Sequence, residues 1–121
     1  LSMKVEILEA DHLLMTAIWG EDNSGLVYIT NHLGTRYPWL PRIGKDAVEY
    51  TVPFKMFYDF LESRCVPRTR DGIDQLLKKK YHLNEYSPLG ICLQTHGINY
   101  SDLIWLRFND EKLRYDDVRV R

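Results

Sequence analysis

An arginine-rich turn near the middle of the chain limits how this protein can fold. It runs from Arg64 to Ile73 and lies between two segments whose apolar residues recur at helical spacing. Pro67, inside the turn, has no backbone N–H and cannot continue an α-helix, so the two segments must form separate helices. Thr69 or Asp71 can open the second helix. The chain is therefore expected to turn a corner here.

Three helices are predicted from apolar periodicity and from their end signals. In the first, aromatic residues form a stripe that is expected to face a sheet. The second carries lysines in its last turn, where they complement the negative end of the helix dipole. The third begins at Ser87–Pro88, a cap followed by proline at the first helical position, and ends at His96–Gly97. The predicted helices cover residues 53–63, 70–81 and 88–96.

The remaining apolar segments have the character of strands. Turn-forming residues 20–25 separate two such segments, which predicts a β-hairpin over residues 13–30. Residues 103–108 form the clearest strand, and their near-continuous hydrophobicity predicts a central place in the sheet or a well-covered face. Shorter strands are expected at residues 5–8 and 47–52. The fold class is therefore predicted to be α+β, with a small antiparallel sheet packed against the three helices.

Length and composition favour a single domain over residues 1–121, located in the cytoplasm. A chain of 121 residues suffices for one core and is short for two. It is 45% hydrophobic and 27% charged, which excludes a disordered chain, and no apolar run approaches the roughly 20 residues of a membrane helix. Residues 1–3 resemble a tag remnant, no signal-peptide pattern follows them, and residues 113–121 are expected to be a partly frayed tail.

Patterns that carry catalysis or metal binding are absent from the sequence. The cysteines, Cys65 and Cys92, do not form a CxxC motif and are interpreted as free thiols. The histidines lie in separate segments without the spacing of metal ligands, and neither a nucleophile elbow nor a glycine-rich phosphate loop occurs. The sequence therefore predicts a protein that is not an enzyme and that uses no metal and no cofactor.

Basic and aromatic side chains are the candidates for binding a partner. Guanidinium groups of the arginine-rich turn can fork onto carboxylates or phosphates, and an aromatic loop over residues 31–46 could add a second patch. In the alternative interpretation the arginines pair with acidic residues and fix the helices, the aromatic loop caps the core, and the lysines are a solvated helix end. The candidate residues are Arg64, Arg68, Arg70, Lys78, Lys79, Tyr37, Trp39 and Arg42.

Charge is divided unevenly along the chain. Residues 1–62 carry 5 basic and 9 acidic side chains, whereas residues 63–121 carry 11 and 8. The net charges of the two parts are −4 and +3, although the whole chain has a formal charge of −1. Such a pattern suits docking to a charged protein better than wrapping of nucleic acid, which usually requires a strongly basic domain.

The second half of the chain resembles the short N-terminal module of HipA-like proteins of Firmicutes and their mobile elements. The resemblance covers roughly residues 54–117 and depends on the R-x-x-P-x-x-R-D pattern from Arg64 to Asp71 and on the segment from Gly97 to Trp105, which contains S-D-x-x-W. The resemblance implies a small non-catalytic module that precedes or stands beside a HipA-like kinase domain. It also implies that a detached module restrains the kinase in trans.

Binding to another protein is therefore the leading functional hypothesis, with regulation or inhibition as its outcome. One alternative is an accessory protein that binds nucleic acid through Arg68, Arg70 and residues 78–80. A further alternative is an inhibitor, encoded by a mobile element, of a host defence nuclease.

Overall fold

The structure, a computed structural model, describes residues 2–20, 25–32 and 48–119. A five-stranded antiparallel sheet organises this part of the chain. Its order is β4-β3-β2-β1-β5, so β1 lies between β2 and β5. Residues of the sheet and of the helices share one buried core, which confirms the predicted α+β class. The strands are β1 (Met3–Glu9), β2 (His12–Trp19), β3 (Leu26–Asn31), β4 (Glu49–Pro53) and β5 (Ile104–Phe108).

The predicted hairpin is confirmed as the pair β2 and β3. Ala17 lies opposite Ile29 in this pair, and both side chains are buried against the helices. A tighter turn joins β1 to β2, and Ala10 adopts a positive φ of 50° there. The other short strands are also present, with β1 longer than predicted and β4 ending at Pro53 rather than one residue earlier. The hairpin tip, residues 21–24, lies outside the described residues.

Helix α1 (Phe54–Ser63) places its aromatic stripe against the sheet. Phe57, Phe60 and Leu61 are buried in the core, as the helical spacing predicts. The predicted start at Pro53 is wrong by one residue, because Pro53 has an extended ψ of 141° and flanks the helix instead of opening it.

The second helical segment is shorter than predicted and passes from α-helix to π-helix. Gly72 has a left-handed φ of 74°, so α2 begins after it and spans only Ile73–Leu76. A π-helical turn, Leu77–Tyr81, follows and ends where His82 also adopts a left-handed conformation. The sequence signals missed the late start because neither Thr69 nor Asp71 caps the helix.

Helix α3 (Pro88–Thr95) has the predicted ends. The Ser87 hydroxyl accepts a hydrogen bond from the backbone N–H of Gly90 at 3.0 Å, and Pro88 occupies the first turn. At the other end His96 takes a left-handed φ of 57° and stops the helix.

Strand β5 lies at the edge of the sheet, so the prediction of a central position is wrong, whereas the well-covered face is confirmed. Leu106 is fully buried on the core side. Trp105 points to the opposite side and is nonetheless fully buried, with its indole N–H donating to the carbonyl oxygen of Ala10 at 2.6 Å. The hydrophobicity of β5 reflects burial on both faces rather than two neighbouring strands.

The C-terminal segment is anchored along the side of the sheet on which Trp105 lies. Arg107 donates from Nη1 to the carbonyl oxygen of Leu113 at 3.0 Å, and the backbone N–H of Tyr115 donates to Asp11 at 2.9 Å. A short helix, α4 (Tyr115–Val118), follows. The segment predicted to be a partly frayed tail thus contains a short helix through residue 118, and its fraying stays a prediction. No helix within the described ranges has the length and apolar character needed to cross a membrane.

Candidate functional site

Arg64 makes its contacts within the chain, and its predicted contact with a partner stays a prediction. It follows the last residue of α1, and its side chain is only 7% exposed. Two of its nitrogens donate to the Asp102 carboxylate at 2.7 and 2.9 Å. The other contacts go to the carbonyl oxygens of Gly97 and Ile104, each at 2.9 Å. A guanidinium engaged in this way joins the end of α1 to β5.

The same contacts cover the outer edge of β5. Ile104 receives Arg64 at its carbonyl oxygen and donates its N–H to Asp102 at 3.0 Å. Further along the strand, the N–H of Leu106 donates to the carbonyl oxygen of His96 at 2.8 Å. Both backbone groups of Ile104 and the N–H of Leu106 are thereby hydrogen-bonded to side chains and to the end of α3.

Hydrogen bonds from Arg64 lower the pKa of the Asp102 carboxyl group, and partial burial opposes this effect without cancelling it. Because the pKa of Asp102 is lower in the folded state than its unfolded value of about 3.9, ionised Asp102 stabilises the fold at pH values above the unfolded pKa. This stabilisation is lost as the pH falls through the folded-state pKa. We expect Asp102→Asn to reduce the pH dependence of the free energy of unfolding between about pH 4 and pH 2, as measured by urea denaturation.

Asp74→Asn provides the control for this comparison, because Asp74 is exposed and makes no ion pair with another described residue. Its pH profile should match that of the wild type. Equal slopes for the wild type and for Asp102→Asn would contradict the assignment of the acid sensitivity to this pair.

Arg68 is half-exposed and is held by contacts within the chain. Its Nη2 lies 2.8 Å from Glu62 Oε1, and its guanidinium carbon lies 4.5 Å from the centre of the Tyr86 ring. The Tyr86 hydroxyl donates to the carbonyl oxygen of Val66 at 2.6 Å. The pKa of Tyr86 is raised to about 12, mainly because burial removes water from the hydroxyl group. Arg68 therefore combines a role in fixing the turn with an accessible face.

Three other predicted residues present cations to solvent. Arg70, Lys78 and Lys79 are exposed, and none of them forms an ion pair with a residue in the described ranges. Lys78 and Lys79 lie in the π-helical turn that ends the second helical segment, and this end is basic, as predicted. The aromatic loop candidates Tyr37, Trp39 and Arg42 lie outside the described residues.

A cleft of about 320 Å³ lies between the arginine-rich turn and the segment that leads into β5. Its walls combine apolar side chains, among them Val66 and Ile98, with the polar side chains of Ser63 and Asn99. Tyr100 lines the cleft and is 90% exposed, so its ring stands at the rim. A mixed pocket bordered by an exposed aromatic ring has the composition of a site that accepts a side chain of a partner.

The cleft was missed by the sequence interpretation, which treated Gly97–Asp102 only as a turn into a strand. Asn99 organises this turn, since its side-chain oxygen accepts from the backbone N–H of Ser101 at 2.7 Å. A large aromatic residue, Tyr100, in a turn of small polar residues was the available signal. The sequence alone does not place Tyr100 in the same cleft as Val66, because these residues are far apart along the chain.

Metal binding finds no support in the part of the chain that the structure describes, where no three His, Cys, Asp or Glu side chains come together to form a site.

Comparisons with protein-family models, with curated proteins and with solved structures found no match. The resemblance to HipA-like modules therefore stays a prediction.

Proposed function

We propose that this chain is a non-enzymatic module that binds another protein and regulates or inhibits it in trans, with a HipA-like kinase as the candidate partner. The observation that supports this proposal most directly is the cleft with exposed Tyr100 at its rim. Exposed aromatic residues beside a concave surface are characteristic of interface anchors.

The chemistry around the cleft indicates what kind of segment would bind there. Apolar walls at Val66, Ile91 and Ile98 suit an apolar side chain of the partner. Arg70, in the turn that follows Val66, offers a guanidinium that is not paired with another described residue. The proposed ligand is therefore a protein segment that presents an apolar residue flanked by acidic residues.

Isothermal titration calorimetry tests the proposal. The chain is titrated into a purified HipA-like kinase domain that lacks its own N-terminal module. Tyr100→Ala is expected to weaken the affinity by about 10- to 30-fold, as expected for loss of an aromatic anchor. Arg70→Glu should also weaken it, because an acidic residue of the partner would then meet a negative charge on the arginine-rich turn instead of a cation.

Tyr28→Ala is the matched control. Tyr28 is 45% exposed and lies on the side of the sheet opposite the core. Its replacement should leave the affinity unchanged. Absence of binding, or a loss of affinity with Tyr28→Ala but not with Tyr100→Ala, would overturn the proposal.

Nucleic-acid binding is the second candidate, and the exposed cations Arg70, Lys78 and Lys79 favour it. Three phosphate contacts would lower the affinity for an oligonucleotide about 40-fold between 50 and 200 mM salt. Fluorescence anisotropy with labelled DNA and RNA measures this dependence. A lack of binding at low salt would remove this candidate and leave the protein-binding proposal intact.

A further inference from the structure

The two cysteines of the chain lie next to each other although 27 positions separate them in the sequence. Cys65 follows the end of α1 and Cys92 lies in the middle of α3, and their sulfur atoms are 3.5 Å apart. Both thiols point toward the carbonyl oxygen of Leu61, at 3.2 Å from Cys65 Sγ and 3.5 Å from Cys92 Sγ. Both cysteines are in the thiol form.

Access to the two thiols is unequal. Cys65 is half-buried and lines the cleft, so a small reagent can reach it from solvent. Cys92 is completely buried in the core. Its hydrogen bond with Cys65, followed by desolvation, raises the pKa of the Cys92 thiol far above its ordinary range. Cys65 is consequently the thiol that meets an external oxidant first.

We propose that Cys65 and Cys92 form a site of reversible oxidation, at which a peroxide oxidises Cys65 and Cys92 then closes a disulfide bond. In the first step the Cys65 sulfur attacks one peroxide oxygen, the O–O bond breaks, and hydrogen peroxide is reduced to water as Cys65 becomes a sulfenic acid. In the second step the Cys92 sulfur attacks the Cys65 sulfur, the S–O bond breaks, and a second water leaves with the Cys92 proton. Two thiols and one hydrogen peroxide thus give one disulfide and two waters.

The surroundings of the pair allow this change. A disulfide needs the sulfur atoms about 2.05 Å apart, so they must approach by roughly 1.5 Å. The Leu61 carbonyl oxygen keeps a partner when the thiol hydrogens are lost, because it also accepts from the backbone N–H of Arg64 at 3.0 Å. The new bond would join α1 to α3 and enclose the segment that carries the π-helical turn. It would also change the wall of the cleft to which Cys65 belongs.

Treatment of the folded, reduced protein with a small excess of hydrogen peroxide tests the proposal. After denaturation and alkylation, intact mass spectrometry is expected to show a monomer without alkylated cysteines and lighter by two hydrogen atoms, and dithiothreitol should restore both thiols. The oxidised monomer should melt about 5–10 °C higher than the reduced one, because the bond closes a long loop.

Single substitutions establish the order of the steps. Cys92→Ala should stop the reaction at a sulfenic acid on Cys65, which dimedone traps, whereas Cys65→Ala should leave buried Cys92 unreacted. If a variant does not fold, the wild-type mass measurement still decides the matter. Two thiols that remain open to alkylation, oxygen addition to Cys65 without loss of the Cys92 thiol, or a disulfide between two chains would each overturn the proposal.

Discussion

Arg64→Met is expected to lower the free energy of unfolding by about 3 kcal/mol, because it leaves the Asp102 carboxylate without its cation in a partly buried setting. The carbonyl oxygens of Gly97 and Ile104 lose a donor at the same time. Methionine keeps the length of the aliphatic stem, so the effect reports the guanidinium rather than lost packing. The melting temperature should fall by roughly 10–15 °C, as measured by differential scanning calorimetry.

Arg68→Met is the matched comparison. Arg68 belongs to the same turn and also pairs with a carboxylate, but its side chain is 56% exposed. Solvent screens an exposed ion pair, so this variant should melt within a few degrees of the wild type. Similar losses in the two variants would contradict the structural role assigned to Arg64.

Trp105→Ala is expected to destabilise the protein by about 3–5 kcal/mol, the range for removing a large aromatic side chain from a core. The side chain is fully buried, although it lies on the side of the sheet away from α1 and α3. Its loss opens a cavity and also frees the carbonyl oxygen of Ala10. Urea denaturation should show a lower midpoint with the slope of the transition unchanged.

Two further substitutions separate the contributions at this position. Trp105→Phe removes the hydrogen bond to Ala10 and part of the volume, so its effect should be about half that of the alanine variant. Leu103→Ala, nearby but with its side chain 50% exposed, should change the stability by less than about 1 kcal/mol. A small effect of Trp105→Ala would show that the side chain is not buried as described.

Local signals in the sequence predicted the elements whose ends depend on neighbouring residues. Ser87–Pro88 predicted the start of α3, and the turn-forming residues 20–25 of the sequence predicted the pairing of β2 with β3, because capping and turn signals are local. The spacing of Phe57, Phe60 and Leu61 likewise identified the buried face of α1.

Contacts between distant residues could not be predicted in this way. Arg64 looked like a surface arginine because Asp102, its partner, lies 38 positions away. The edge position of β5 depends on its pairing with β1, which lies near the other end of the chain. The cleft depends on the same long-range packing, which brings Tyr100 to the arginine-rich turn.

The bonded outer edge of β5 also determines how other polypeptides can approach this side of the sheet. A strand from another molecule would need free backbone donors and acceptors, and both groups of Ile104 and the N–H of Leu106 are occupied by Arg64, Asp102 and the carbonyl oxygen of His96. These contacts therefore oppose the addition of a sixth strand at β5 and the edge-to-edge association of two sheets there. A partner that approaches this side is expected to be recognised mainly through side chains.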